Sequence, residues 1–485
     1  MPKRVGNFKK NREIFKKTLF PGWEMLIKGK REVLFMKRFF AVVLGMLTLF
    51  SLAGCSDKSP LDPNDPVTLT MWHNYGGEMQ NTMDVLIERF NATVGREQGI
   101  VVKVEAVSSS ADLNKSLVMI ANDDPGAPKC PDIFTGYPKI AVQFWENGKL
   151  ANLADYFSEE ELSAYVDAFV EEGRLSDGGL YVFPIAKSTE ILYLNQTLFD
   201  EFAAATGADA ALLSTFEGLA ELSRQYYEWT DGQTPDVSGD GKAFFAADSW
   251  FNIAEVGMVQ LGGSLFYEDG SLALDSDTYA YIFETLYAPS VTGGFALFDG
   301  YSSDLSKTGD IVCSTGSSAG ILFYGDTITY PDATVKQVEY SILPYPVFED
   351  GEKLALQRGG GLMVAKTEEK KEYAAAEFIK WLTAAEQNME FVSETGYLPV
   401  TKQAFEQDMQ TQLEAVEDAR IKKMLTAVLD MYGEYTFFTA PNFSDFDAVS
   451  GRYADDWYYL LTKNRREYAG GDSISAADAL AEFKN

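Results

Sequence analysis

The chain has 485 residues, 46% of them hydrophobic and 13% aromatic, which is ample material for a folded core and excludes a disordered or collagen-like chain. The formal charge of −31 repels phosphate backbones and argues against nucleic-acid binding. Three cysteines and one histidine leave little for a Cys/His zinc site or a histidine relay, and no cofactor is implied.

The first 54 residues hold 12 Lys/Arg and 3 Asp/Glu, which leaves 29 basic and 69 acidic residues beyond them, a net of −40. Met36-Lys37-Arg38 precedes a 14-residue apolar run over 39–52, FFAVVLGMLTLFSL, the length of a signal-peptide core and short of the about 20 residues of a membrane span. Leu52-Ala53-Gly54-Cys55 then resembles a bacterial lipobox, which implies cleavage before Cys55 and acylation of its thiol. A true transmembrane anchor followed by an ordinary cysteine is the alternative. Residues 36–54 therefore read as a lipoprotein signal peptide. Residues 1–35 read as an extension upstream of the true start at Met36, or else as a basic cytoplasmic leader. Residues 55–66, rich in Ser, Asp and Pro, read as a lipidated flexible tether.

Alternating β-branched residues predict a strand over 67–72, VTLTMW. Helical spacing of Met83, Leu86, Ile87 and Phe90 predicts a helix over 82–91. A strand over 100–107, a helix over 113–122 and a strand over 132–135 follow. Short strands are expected over 180–184 and 190–194, and helices over 197–206 and 215–229. Later come strands over 339–343 and 361–365 and an amphipathic helix over 369–383, after which the chain is mostly helical. This alternation predicts α/β layers with largely parallel strands. After Cys55 no run of 18 apolar residues occurs. Cys130 and Cys313 are a disulfide outside the cytoplasm or two buried thiols.

Several strings stand in order along the chain: WHNYGGEM at 72–79, PDIF at 131–134, ILYLN at 191–195, RGGGLMVAK at 358–366, TGYLP at 395–399, VTKQAF at 400–405 and SISAADAL at 473–480. The set resembles the extracellular solute-binding proteins of ABC importers, in the group that binds sugars and glycerol 3-phosphate. The resemblance covers roughly residues 67–485. It implies a two-lobed periplasmic-binding-protein-like α/β fold of type II, with a ligand cleft between lobes joined by a hinge. Lobe one is expected over 67–186 plus 341–385, and lobe two over 187–340 plus 386–485. The implied partners are a sugar or polyol and the transmembrane subunits of an ABC permease. The implied state is a monomer held on the bacterial membrane by the lipid at Cys55, at the cell surface or in the periplasm.

Carried over residue by residue, the resemblance implies a ligand-binding serine at Ser188, a second at Ser317 or Ser318, a glycine N–H at Gly359 or Gly360, a tyrosine at Tyr397 and an arginine at Arg452. Arginine, backbone N–H and hydroxyls together make an anion clamp. Two positions depart from the pattern. An expected tyrosine falls near Ala111 and an expected glutamate on Pro138, so another sugar or polyol fits as well as glycerol phosphate. Trp72, His73, Tyr75, Tyr137, Trp250 and Tyr324 are further candidates, because aromatic faces stack on sugar C–H surfaces; each can equally pack in a core. Glu78 accepts hydroxyls or partners the helix dipole. Gly359-Gly360-Gly361 serves backbone approach to a ligand or a tight turn, and no Gly-Lys-Ser/Thr follows it. Asp236, Ser238, Asp240 and Gly241 resemble the start of a calcium loop, but position twelve is Ala247 and Asx turns look alike without metal.

Two other function classes stay open: a secreted glycoside hydrolase using paired carboxylates, and a surface sensor or adhesin with the same fold. The leading expectation is a non-enzymatic binding protein.

Overall fold

The computed structural model describes residues 59–76, 78–105, 110–408, 413–414, 416–441, 443, 445–471 and 475–484. The proposed signal peptide, the upstream stretch and Cys55 lie outside the described residues. The chain divides into two compact units, Met1–Pro60 and Leu61–Asn485, and the second holds every element below. Part of the expected tether belongs to that unit: Leu61 packs against its core, and Asp65 pairs with Lys370 at 3.0 Å.

The chain opens with β1 (Val67–Trp72), α1 (Glu78–Ala92), β2 (Ile100–Val104), α2 (Ser110–Ala121), β3 (Ile133–Gly136) and α3 (Pro138–Glu146). β1 pairs parallel with both β2 and β3, as βαβ crossovers require. Two later strands, β4 (Phe183–Pro184) and β12 (Gly361–Val364), complete a five-stranded sheet of order β2-β1-β3-β12-β4, and β12 runs antiparallel to both its neighbours. Leu69, Met71, Ile133 and Phe134 are fully buried, so this sheet carries core on both faces.

A second sheet forms around β5 (Ser188–Asn195), all eight residues of which are buried. Its other strands are β6 (Phe245–Ala247), β7 (Cys313–Ser317), β10 (Tyr340–Leu343), β11 (Leu354–Arg358) and β13 (Thr436–Phe438); β8 (Thr327–Thr329) and β9 (Val335–Gln337) form a separate ribbon. The order is β13-β11-β5-β7-β6, with β10 also pairing with β5. Helices α4 (Gln196–Thr206), α5 (Phe216–Asp231), α6 (Trp250–Gln260), α7 (Asp277–Thr292) and α8 (Ser302–Thr308) belong to this half. So do α11 (Ala419–Glu434), α12 (Phe446–Ala469) and α13 (Ala476–Phe483), and Phe283, Trp457 and Phe483 knit α7, α12 and α13 together.

The membership of the two sheets differs from the expected lobe boundaries. β10 and β11, expected in lobe one, hydrogen-bond to β5 in the second sheet, so the chain returns at Gly359-Gly360 and not near residue 341. Helix α9 (Glu369–Leu382) stays with the first sheet, and Phe378 and Trp381 pack on Phe90 of α1. Helix α10 (Ala385–Thr395), expected in lobe two, also packs on α1, with Arg89 and Glu390 paired at 2.6 Å. Among the described residues no helix is long and apolar enough to cross a membrane. Cys130 and Cys313 are free thiols, not a disulfide.

Candidate functional site

Three passages of the chain lie side by side between the sheets. Lys187 and Leu398 exchange backbone hydrogen bonds, Leu398 N to Lys187 O at 2.6 Å and Lys187 N to Leu398 O at 3.3 Å. The Lys187 ammonium donates to the carbonyl of Gly359 at 3.2 Å. It also pairs with Glu172 at 2.7 Å, with both side chains buried, and Gln357 donates to the same carboxylate. Gly359 has φ +99°, and a Cβ there would lie 2.6 Å from the carbonyl oxygen of Ala186. Glycine is therefore needed for conformation and for space.

Beside these passages lie two cavities that share Tyr137 and Arg358. The larger, of about 460 Å³, is lined by Tyr137, Asp248, Ser317, Tyr324, Arg358 and Tyr397 among others. The smaller, of about 280 Å³, adds Asn252, Glu255, Gln357 and Gly359. Strand ends supply the lining: Tyr137 follows β3, Asp248 follows β6, Ser317 ends β7 and Arg358 ends β11. Carboxyl ends of strands are where open α/β sheets hold ligands. A groove of about 730 Å³ between α5 and α7 is larger, but its Arg224 is matched by Glu221 and Glu228 on its own helix.

Electrostatics at the shared wall centre on Glu190 of β5. Its buried carboxylate accepts from Arg358 Nη1 at 2.7 Å and from Asn252 Nδ2 at 2.9 Å. Burial works to lower the Arg358 pKa, but the charge of Glu190 and the neighbouring Tyr137 and Asp248 outweigh it and hold the guanidinium above its ordinary value. Burial raises the Asp248 carboxyl, and the charge of Glu190 adds to the rise. On α6, burial pushes Glu255 up to about 8. Tyr193 donates to the carbonyl of Ser317 at 2.6 Å and stacks on Tyr324 with ring centroids 3.9 Å apart, which fixes one aromatic wall.

Of the residues singled out from sequence, Tyr137, Ser317, Tyr324 and Tyr397 line the larger cavity and Gly359 the smaller. Ser188 and Ser318 are buried just behind: Ser188 faces Arg358 in the strand ladder, and Ser318 Oγ accepts from Thr189 N at 3.3 Å. Gly360 permits close packing on Gly136, since a Cβ would stand 2.8 Å from that residue's carbonyl oxygen. The remainder line neither cavity, although Tyr75 packs edge-on to Tyr397 of the larger one. Trp72 is buried and donates its indole N–H to Glu105 at 2.9 Å. His73 is buried; burial lowers its pKa, and its Nδ1 accepts from Tyr75 N at 3.3 Å. Tyr75 packs edge-on to Phe391. Trp250 is core, beside Phe295 and Trp457. Arg452 is exposed on α12 and donates to Ala448 O within its own helix, so it lies outside the clamp expected of it.

Glu78 begins α1, and its side chain, like that of Ala111, lies outside the described residues. Pro138 is the first residue of α3, a position that suits proline, and lines the smaller cavity. In the loop over 231–240, Asp231 accepts the N–H of Gly239 and of Asp240, which accounts for the calcium-like spacing by internal turns. Among the described residues no cluster of metal-ligating side chains forms. Reading the sequence missed Arg358, Glu190, Asn252, Asp248 and Glu255. Arg358 stands immediately before the glycine triplet and Glu190 within STEILYLN, so the strings were visible and only the pairing was not.

The comparisons agree with this architecture. A cyclic α-maltosyl-1,6-maltose binding protein from Arthrobacter globiformis superposes with TM-score 0.66 at 21% identity, covering 86% of this chain and 97% of its own. The ABC substrate-binding protein Lmo0181 from Listeria monocytogenes, in complex with cycloalternan, gives 0.62 at 19% identity over 86% and 97%. UgpB from Mycobacterium tuberculosis, in complex with glycerophosphocholine, gives 0.61 at 18% over 86% and 96%. No curated protein matches the sequence. The model of the family described as bacterial extracellular solute-binding protein matches residues 86–418, most of the chain, and the chain belongs to that family.

Proposed function

We propose that the protein is the substrate-binding lipoprotein of an ABC importer, that it captures a carbohydrate or polyol by closure of its lobes, and that it delivers the ligand to a permease. The observation that carries this is the pair of cavities at the chain crossings, walled by Tyr137, Tyr324 and Tyr397 and by groups that hydrogen-bond. Tyrosine faces suit sugar C–H surfaces, and hydroxyls find partners in Ser317, Asp248 and Arg358. The sugar and glycerophosphocholine ligands of the similar structures support the ligand class.

The ligand-binding residues in this reading are Tyr137, Asp248, Ser317, Tyr324, Arg358 and Tyr397, with Gly359 at the hinge. Arg358 takes the place expected of Arg452, but it is already matched by Glu190, so the site does not favour a phosphate. Hinge motion is assigned to residues 185–187 and 359–360, with lobe one over 61–184 plus 361–405, where Val400 and Lys402 hydrogen-bond to Val166 and Ala164, and lobe two over 188–358 plus 419–485. Cys55 carries the lipid, and the protein works as a monomer at the cell surface or in the periplasm. Binding without catalysis is favoured over glycoside hydrolysis because the family whose model matches the chain is one of solute-binding proteins.

Thermal shift of the protein from Ser56 onward tests the reading against sugars, amino sugars, polyols and their phosphates. A tight unphosphorylated ligand in excess raises the midpoint by several degrees. A response to phosphorylated compounds alone contradicts the assignment of an unphosphorylated ligand. No response to any member of the panel contradicts the carbohydrate or polyol class.

A further inference from the structure

Glu255 lies in the second turn of α6 and lines the smaller cavity, of about 280 Å³. It is 2% exposed, and neither carboxyl oxygen has a hydrogen-bond partner. The other charged groups in that wall are matched. Glu172 meets Lys187 and Gln357, Arg358 meets Glu190, and Lys139 meets Asp447. Among the described residues lining the cavity, Glu255 is the one acid without a counter-ion.

An isolated carboxylate is costly to bury, so the free protein holds this one protonated near neutral pH. Burial alone pushes it up to about 8. A fold that merely needed to fill this space would favour an apolar side chain of similar volume. A neutral diol would meet the protonated carboxyl by hydrogen bonds alone, whereas a ligand ammonium stabilises the carboxylate form, drives the proton off and becomes its counter-ion.

Resting on the reading of the cleft as a solute site, we propose that the smaller cavity is a subsite for a protonated amine, that Glu255 is its counter-ion, and that the ligand is therefore an amino sugar or amino polyol. On binding, the ligand ammonium keeps its protons, Glu255 gives up its own to the buffer, and a buried ion pair forms. At pH 7 the free carboxyl is mostly protonated, so close to one proton is released per ligand.

The test is isothermal titration calorimetry at pH 7 in two buffers of different ionisation enthalpy. The probes are D-glucamine against D-glucitol, and the trimer of glucosamine against the trimer of glucose. The expected result is at least tenfold tighter binding of the amine in one pair, with proton release. Glu255→Gln brings the two affinities together and abolishes the release, while Glu255→Asp retains both in part. Equal binding within each pair, or an amine preference that survives in Glu255→Gln, overturns the proposal and leaves the solute-binding reading standing. Failure of all four probes at millimolar concentration overturns both.

Discussion

Arg358 and Glu190 meet across the antiparallel ladder that joins β11 to β5, guanidinium to carboxylate at 2.7 Å. Arg358 is the last residue of β11 before the crossing to the first sheet, and Glu190 is the third residue of β5 after the opposite crossing. The pair thus stands where the passages converge, and it couples the wall of both cavities to the hinge. Its acid is 3% exposed and its base 32%, so solvent screens it only from one side.

Removing one partner leaves a buried charge. Arg358→Met strands Glu190 with Asn252 alone, and the unfolding free energy is expected to fall by about 3 kcal/mol. The double variant Arg358→Met/Glu190→Gln recovers most of that loss, because the orphaned charge goes too. Urea denaturation of the two single variants and the double variant measures the coupling. Strict additivity contradicts it.

Glu255 makes stability depend on pH in a direction opposite to that of most carboxylates. Its folded pKa, about 8, lies above the ordinary value of 4.5. Between those values the folded state holds a proton that the unfolded state has lost, so its contribution to stability falls as pH rises from 4.5 to 8 and is flat beyond. Glu255→Gln removes the penalty. The variant is expected to match the parent near pH 4.5 and to exceed it by on the order of 4 kcal/mol at pH 8. A constant difference across that range contradicts the account.

At the hinge, Gly359→Ala forces a Cβ to within 2.6 Å of the Ala186 carbonyl at φ +99°. The expected cost is about 2–4 kcal/mol, from left-handed strain and the clash together. A thermal melt reads the loss. The same substitution at Gly148 is a fair control, because φ there is +66° with nothing within 4 Å, and only the strain applies.

Outside the described residues, Cys55→Ser is expected to move the protein from the detergent phase to the aqueous phase in a detergent partition of whole cells. On the proposed acylation of Cys55, removing the thiol takes away the lipid and with it membrane retention. Retention by the serine variant points instead to an uncleaved anchor over 39–52.

Much of the fold was legible because its elements are locally specified. The strand over 67–72 coincides with β1, the helix over 369–383 with α9 to one residue, and the strand over 361–365 with β12 to one residue. Alternation and helical spacing need only neighbours. Lobe membership was less legible: nothing local distinguishes β10 and β11, which join the second sheet, from β12, which joins the first. Single aromatics misled for the same reason. Trp250 follows a glycine-rich turn, where a cleft residue was expected, yet Phe295 and Trp457 bury it. The site itself rests on pairings across 168 residues, Glu190 with Arg358, and no periodicity reveals those.

The central claim is that ligand binds at the chain crossings and draws the lobes together. Hydrogen exchange read by mass spectrometry, with and without a saturating sugar or polyol found by thermal shift, tests it most directly. The account predicts new protection over 185–195, 356–361 and 396–398 and around Tyr137. Protection confined to the groove between α5 and α7, with those segments unchanged, contradicts it.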